Sequence, residues 1–292
     1  MAFRLKHRSI SRELRRLVTR ELAAAIEALS GFGLGDTDIL EARKHIKKVR
    51  SIVKLLKASL GRAAAPANAQ LRSVGQGLGR VRDAEAMIDT LDGLRGHYSD
   101  AIGKSARHKV ARGLRGEQLE ARQSADDVAR HAIGVLRRVR KSLPDRVKQA
   151  GGLPAVQQGL ASVYKRCRSA VANLTEESDA VAFHDWRRRV KEHWYHVRLF
   201  EGHRSALRSR TRSLRALETE LGEDHNLAIL NEALIASPRR FGDARTTNLV
   251  IGCIQKRQRA LRKKALARGR RLFVAKPKKM QAAVGDWWRG KR

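Results

Sequence analysis

Four cations recur along one short stretch. Arg43, Lys47, Arg50 and Lys54 stand four, three and four residues apart. At about 100° per residue they share a helix sector roughly 60° wide. Ala42, Ile46, Val49, Val53 and Leu56 form an apolar stripe about 110° further round. Such a row can donate charge-assisted hydrogen bonds to an oxyanion: arginine offers a planar fork and lysine a mobile point charge. Like charges at i,i+4 repel by a few tenths of a kcal/mol per pair. Residues 42–57 contain no Asp or Glu to offset that cost. A basic face that simply meets water is the ordinary reading of a charge run. Here the pattern occurs twice. Ile39–Leu56 aligns without a gap on Phe183–Phe200, pairing Arg43 with Arg187, Lys44 with Arg188, Lys47 with Lys191 and Lys54 with Arg198. His184 lies beside the second row, and Trp194 stands where the first row has Arg50. A repeated self-repulsion points to a compensating anion.

His184 could donate to that anion, titrate, or ligate a metal. Metal binding calls for several imidazoles or carboxylates converging. Only His193 and His196 are close in sequence to His184, and His193 falls near the apolar edge, so no metal is expected. Signatures of catalysis are equally thin. Gly103-Lys104-Ser105 resembles the end of a phosphate-binding loop, but Tyr98 occupies the position of its first glycine. Gly31, Gly33 and Gly35 have the wrong spacing for a dinucleotide loop. Asp83, Glu85 and Asp89 read more simply as local partners of Arg80 and Arg82. No nucleophile, base and orienting group can be assembled, so neither catalysis nor a cofactor is expected.

These residues need helices to hold them. The 292-residue chain has 42% apolar residues, enough for a core, with only five prolines and 4% aromatic residues. Long runs rich in Ala, Leu, Arg and Glu favour an all-α fold. A second repeated segment follows the first: Leu71-Arg72 with Leu78-Gly79 matches Leu214-Arg215 with Leu221-Gly222, and Asp83 faces Asn226. We therefore expect two related four-helix bundles, residues 1–150 and 151–275, divided at Gly151-Gly152-Leu153-Pro154, and a basic tail over 276–292 with no assigned role. The first half's helices are expected over Ser11–Ser30, Asp38–Leu60, Asn68–Leu94 and Ala101–Leu143, the last with a break near Gly113 and Gly116. Those of the second are expected over Leu153–Leu174, Ser178–Glu201, Ser205–Ile235 and Arg245–Leu272. Asp36 or Thr37, and Ser178 or Asp179, are the expected N-caps of the second helix in each half. The net charge of +34 calls for a strongly acidic partner. Two cysteines without metal or redox spacing, no legible export signal and no apolar run of membrane length fit a reducing cytoplasm.

The motifs resemble the CHAD domain, a helical family named for its histidines, over almost the whole chain. Its pattern is H-x-x-R-x-x-x-K-x-x-R on one helix of each half, followed by an L-G-x-x-R-D type element. His184, Arg187 and Lys191 match the first three positions of one copy, and Trp194 departs at the fourth. Arg43, Lys47 and Arg50 match the other, with Leu40 in place of its histidine. Leu78-Gly79-Arg80-Val81-Arg82-Asp83 fits the second element, and Leu221–Asn226 is a weaker counterpart. The resemblance implies two pseudo-symmetric bundles whose basic edges face a shared groove that binds inorganic polyphosphate, or phosphate and sulfate ions in the same place. For such a ligand, Arg16, Arg20, Lys165 and Arg168 of the first helices, and Arg72, Arg80, Arg208 and Arg215 of the third, are further candidate contacts read from their places in the expected helices. Some relatives carry a triphosphatase domain with a Glu-x-Glu-x-Lys signature, which does not occur in these 292 residues. The expectation is therefore non-catalytic binding of polyphosphate in the cytoplasm, with association with polyphosphate granules left open. Two other classes of function are compatible with the charge: a nucleic-acid-binding protein, for which exposed aromatic platforms are scarce, and a metal-dependent phosphohydrolase built around His184.

Overall fold

The computed structural model describes residues 3–6, 9–31, 34–80, 83–123, 125–202 and 205–289, without the side chains of 80, 83–84, 116–123, 205–206 and 239. Among the described residues every regular element is helical. In order they are α1 (Ile10–Leu29), α2 (Asp36–Leu55), α3 (Lys57–Leu60), α4 (Ala64–Arg80), α5 (Asp83–His97), α6 (Lys104–Gln123), α7 (Ala125–Ala150), α8 (Leu153–Ala172), α9 (Ala180–Arg198), α10 (Ser205–Ala236), α11 (Ala244–Leu272) and α12 (Pro277–Arg289).

Helices α1, α2, α4 and α7 close a ring, each packing on two others, and α8, α9, α10 and α11 close a second. The apolar stripe of α2 explains its place: Ala42, Ile46, Val49 and Val53 are all buried. Asp179 caps α9 as expected, its Oδ1 accepting from the Ala182 N–H at 2.7 Å. At α2 the cap differs from expectation. Asp36 is the first helical residue, and the Gly35 N–H donates to the Asp38 carboxylate at 3.0 Å.

The first half departs from the sequence reading in its third and fourth helices. The stretch expected as one helix over Asn68–Leu94 is two, α4 and α5. Gly113 and Gly116 lie inside α6, and the change to α7 comes later. Helices α5 and α6 leave the first ring. With the far end of α10 and the near part of α11 they enclose a separate core of Leu91, Leu94, Val110, Leu114, Leu230, Leu234 and Ile254. The remaining helices share one larger core that runs without a break across the 150/151 junction. That junction separates α7 from α8 and does not divide the interior. The unassigned tail is helical: α12 packs on α8 and buries Met280, Val284 and Trp287.

Three contacts fix α2 against the second ring. At Gly159, α8 crosses the end of α2 so closely that a Cβ would stand 1.8 Å from the Leu55 carbonyl oxygen. Buried His196 of α9 donates from Nε2 to the Ser51 carbonyl of α2 at 2.8 Å. Glu192 of α9 accepts from Lys54 of α2 at 2.9 Å and from Arg166 of α8 at 3.1 Å. No helix among the described residues is long and apolar enough to cross a membrane.

Candidate anion-binding cleft

Because α2 and α9 are held side by side, the two cationic rows meet across one cleft of about 380 Å³. Lys47, Arg50 and Lys54 line it from α2, and His184, Arg187, Arg188 and Lys191 from α9. Helix α4 adds Arg72 and two neutral groups, Asn68 and Gln76; Glu192 and Tyr195 complete the wall. Arg72 was among the cations expected from the third helices; the neutral residues and the acids escaped the sequence reading, which sought only cations and counted carboxylates only along α2.

The electrostatics of this cleft are strained. Burial, together with Lys191, Arg43 and Arg187 close by, lowers the Lys47 ammonium to a pKa of about 7. Burial also lowers the Arg187 and Arg50 guanidinium groups, with Arg72 and Arg188 adding to the effect at Arg50. Arg187 Nε is buried and makes no hydrogen bond, whereas Arg50 Nε donates to the Asn68 Oδ1 at 3.2 Å. Burial alone would raise Glu192, but His196, Lys54 and Arg166 outweigh it and keep the carboxylate charged. Lys191 donates to Glu218 of α10. Acids from other helices pair directly with Lys54 and Lys191, whereas Lys47 and Arg187 feel Glu218 only in part and stay lowered.

His184 stacks on His225 of α10, with ring centroids 4.2 Å apart and Nδ1 to Nδ1 at 3.0 Å. One Nδ1–H donates to the other Nδ1. Burial and the flanking Arg187 lower both rings, His225 to about 4, so the pair is neutral at pH 7. His225 lies inside the second repeated element, the one signal that could have singled it out. Buried His193 sits between Tyr164 and Phe273, as its place on the apolar edge suggested. Among the described residues no three His, Cys, Asp or Glu side chains come together to hold a metal.

The repeated Leu-Gly element now has a physical role. A Cβ at Gly79 would stand 3.2 Å from Arg43 Nη2, and at Gly222 it would stand 3.7 Å from the Arg187 guanidinium. In each half the glycine of one repeated segment makes room for the arginine of the other. Arg43 also reaches the Gly79 carbonyl at 3.4 Å, and it stands behind Lys47 rather than on the cleft wall.

The other expected contacts lie elsewhere. Arg16 is bound by Glu13 and Arg20 by Glu21, as pins of α1. Lys44 pairs with Glu41 on the exposed side of α2. Lys165, Arg168 and Arg208 are exposed and line no part of the cleft. Arg198 and Arg215 line a different recess. The Arg80 side chain is outside the described residues, as are Val81 and Arg82.

The sequence profile of the CHAD domain matches residues 16–235. The chain belongs to the CHAD domain family. Its fold agrees: the CHAD domain from the plant Ricinus communis superposes with a TM-score of 0.59 at 19% identity, covering 94% of this chain and 97% of that one. PptA from Streptomyces chartreusis gives 0.63 at 15% identity, covering 92% and 100%. No curated protein gives a significant match. In this CHAD domain the motif positions Lys47, Arg50, His184, Arg187 and Lys191 all reach one cleft, and the matched segment ends just before the close of α10.

Proposed function

We propose that this CHAD domain binds inorganic polyphosphate in the cleft between α2 and α9 and does not turn it over. The reading rests on one observation above all. Lys47 and Arg187, from different helices, line the same cleft largely out of solvent, and burial lowers both while Glu218 offsets the effect only in part. Folding around such a pair is unfavourable by itself, and a dense anion reverses the sign of the interaction. A phosphate chain has no base to stack and no carbon to bury, which suits a wall of guanidinium, ammonium and amide donors. Phosphate or sulfate ions would occupy the same donors singly. We further read the two helix rings, residues 1–150 and 151–275, as copies of one unit, an interpretation supported by the Arg43–Gly79 and Arg187–Gly222 contacts. A place in the cytoplasm, where polyphosphate granules would offer the ligand, is part of the same proposal.

The test is retention on immobilised polyphosphate. Lys47→Glu with Arg187→Glu should abolish retention while circular dichroism stays helical, and salt should weaken wild-type retention steeply by counterion competition. Undiminished retention by that double variant would rule out the cleft. Displacement of long polyphosphate by duplex DNA or RNA at equal phosphate concentration would favour nucleic acid as the ligand.

A further inference from the structure

A second cationic concavity lies between α9 and α10. It has a volume of about 290 Å³ and is lined by Trp194, Arg198, Glu201, Thr211, Arg212 and Arg215. The Arg198 guanidinium lies over the Trp194 ring, 4.7 Å from its centroid, with Tyr195 at 5.9 Å. Stacking of this kind leaves the edge of the guanidinium, where its N–H groups are, free to donate. Among the described residues no carboxylate pairs with Arg198, Arg212 or Arg215, and Glu201 is the one acid on the wall. Thr211 is only 6% exposed, yet its Oγ1 makes no hydrogen bond. A helical threonine ordinarily satisfies itself on the carbonyl four residues back. The Trp194 Nε1 is likewise without a partner. Buried donors left unmade are costly, and here they gather on residues that line a recess with three arginines.

The recess also has a counterpart. By the two repeat offsets Trp194, Arg198, Thr211 and Arg215 fall on Arg50, Lys54, Asn68 and Arg72, all of which line the main cleft. The departure from the family pattern at Trp194 thus lies in this recess. An indole replaces one cation and braces another.

We propose that this recess is a second anion subsite, separate from the α2–α9 cleft, that takes a terminal phosphoryl group. Arg198 and Arg215 supply the forks, and Thr211 supplies a hydroxyl donor from the floor. Trp194 positions Arg198. The choice of phosphate rests on the reading of the main cleft, whereas the existence of the subsite does not.

Calorimetric titration of the full chain with inorganic pyrophosphate, alongside Trp fluorescence, tests it. The wild type should show two sites. Arg198→Gln with Arg215→Gln should remove one of them and the fluorescence response, leaving retention on long polyphosphate in place. Lys47→Glu with Arg187→Glu should leave the recess site and its response. Thr211→Val, nearly isosteric, should weaken the recess site at least fivefold with a melting temperature equal to or slightly above that of the wild type. The same titration with orthophosphate separates a site for a chain end, which prefers pyrophosphate, from one for free phosphate, which takes both alike. An unchanged site number and response in the Arg198/Arg215 variant would overturn the subsite and leave the cleft reading standing. Retention surviving in the Lys47/Arg187 variant would overturn the cleft reading and leave the subsite standing.

Discussion

Lys47 concentrates the electrostatic problem of the molecule in one side chain. Its pKa of about 7, against 10.5 for an ordinary lysine, is set first by burial and then by three neighbouring cations. Between these values the unfolded chain holds a proton that the folded one has released, so the ligand-free protein should become more stable as pH rises from 7 towards 10. Polyphosphate affinity should move oppositely, falling above pH 7 as the ammonium discharges. Lys47→Met keeps the length of the side chain and removes the charge. Melting curves at pH 6–9 should show that variant a few degrees more stable without ligand at pH 7 and flatter with pH, while its affinity drops about tenfold. A paired substitution tests the glycines. Gly79→Ala would press on Arg43, and Gly222→Ala has room. Both gain helix propensity worth about 0.5–1 kcal/mol. Only the first should weaken polyphosphate binding, by several-fold, in an isotherm measured beside a melt. At this scale the cations of the cleft were legible because repetition exposed them. Glu192, Glu218, Asn68 and His225 were not, because their part in the site depends on which helices become neighbours.

Helices turn such residues into a site through a few buried polar pins. Glu21 of α1 is nearly inaccessible and binds Arg20, His45 and Lys48, tying α1 to α2. Burial would raise its carboxyl, yet hydrogen bonds from His45, Lys48 and Arg20 bring it down to about 2. A depressed carboxylate stabilises above its unfolded pKa, near 4.5, and loses that contribution as pH falls towards 2. Glu21→Gln should therefore lower the melting temperature at pH 6–7 and flatten the acid limb between pH 5 and 2, read by circular dichroism. The same pin explains why Arg20 is not in the cleft, just as Glu13 explains Arg16. Most helices were readable from periodicity, though not α12 in the tail, and seven of the eight expected segments begin within about three residues of an observed helix, whereas Asn68 begins four residues after α4 does. The split of α4 from α5 was not readable. Met87, Ile88, Leu91 and Leu94 have helical spacing, and spacing alone cannot say whether they face α2 or α10.

The described residues bury one large core and one small one, and the cleft lies on helices of the large core. Local opening costs least where the fewest apolar groups are buried together. Hydrogen exchange should accordingly find two protection classes, with amides of α5 and α6 exchanging at least tenfold faster than those of α1, α2 and α9. Added polyphosphate should slow the second group more than the first. Uniform exchange across both would mean that the cores open as one. The link between them is α10, whose Leu214, Leu217 and Leu221 serve the large core and whose Leu227, Leu230 and Leu234 serve the small one. A helix preserves angular phase along its length, each residue adding about 100° of rotation and 1.5 Å of rise. Deleting one residue between Leu221 and Leu227 would swing the distal leucines away from α5 while the proximal ones kept their seats. Evolution can lengthen the loops around this rod freely, but the rod itself tolerates changes of length only near whole turns.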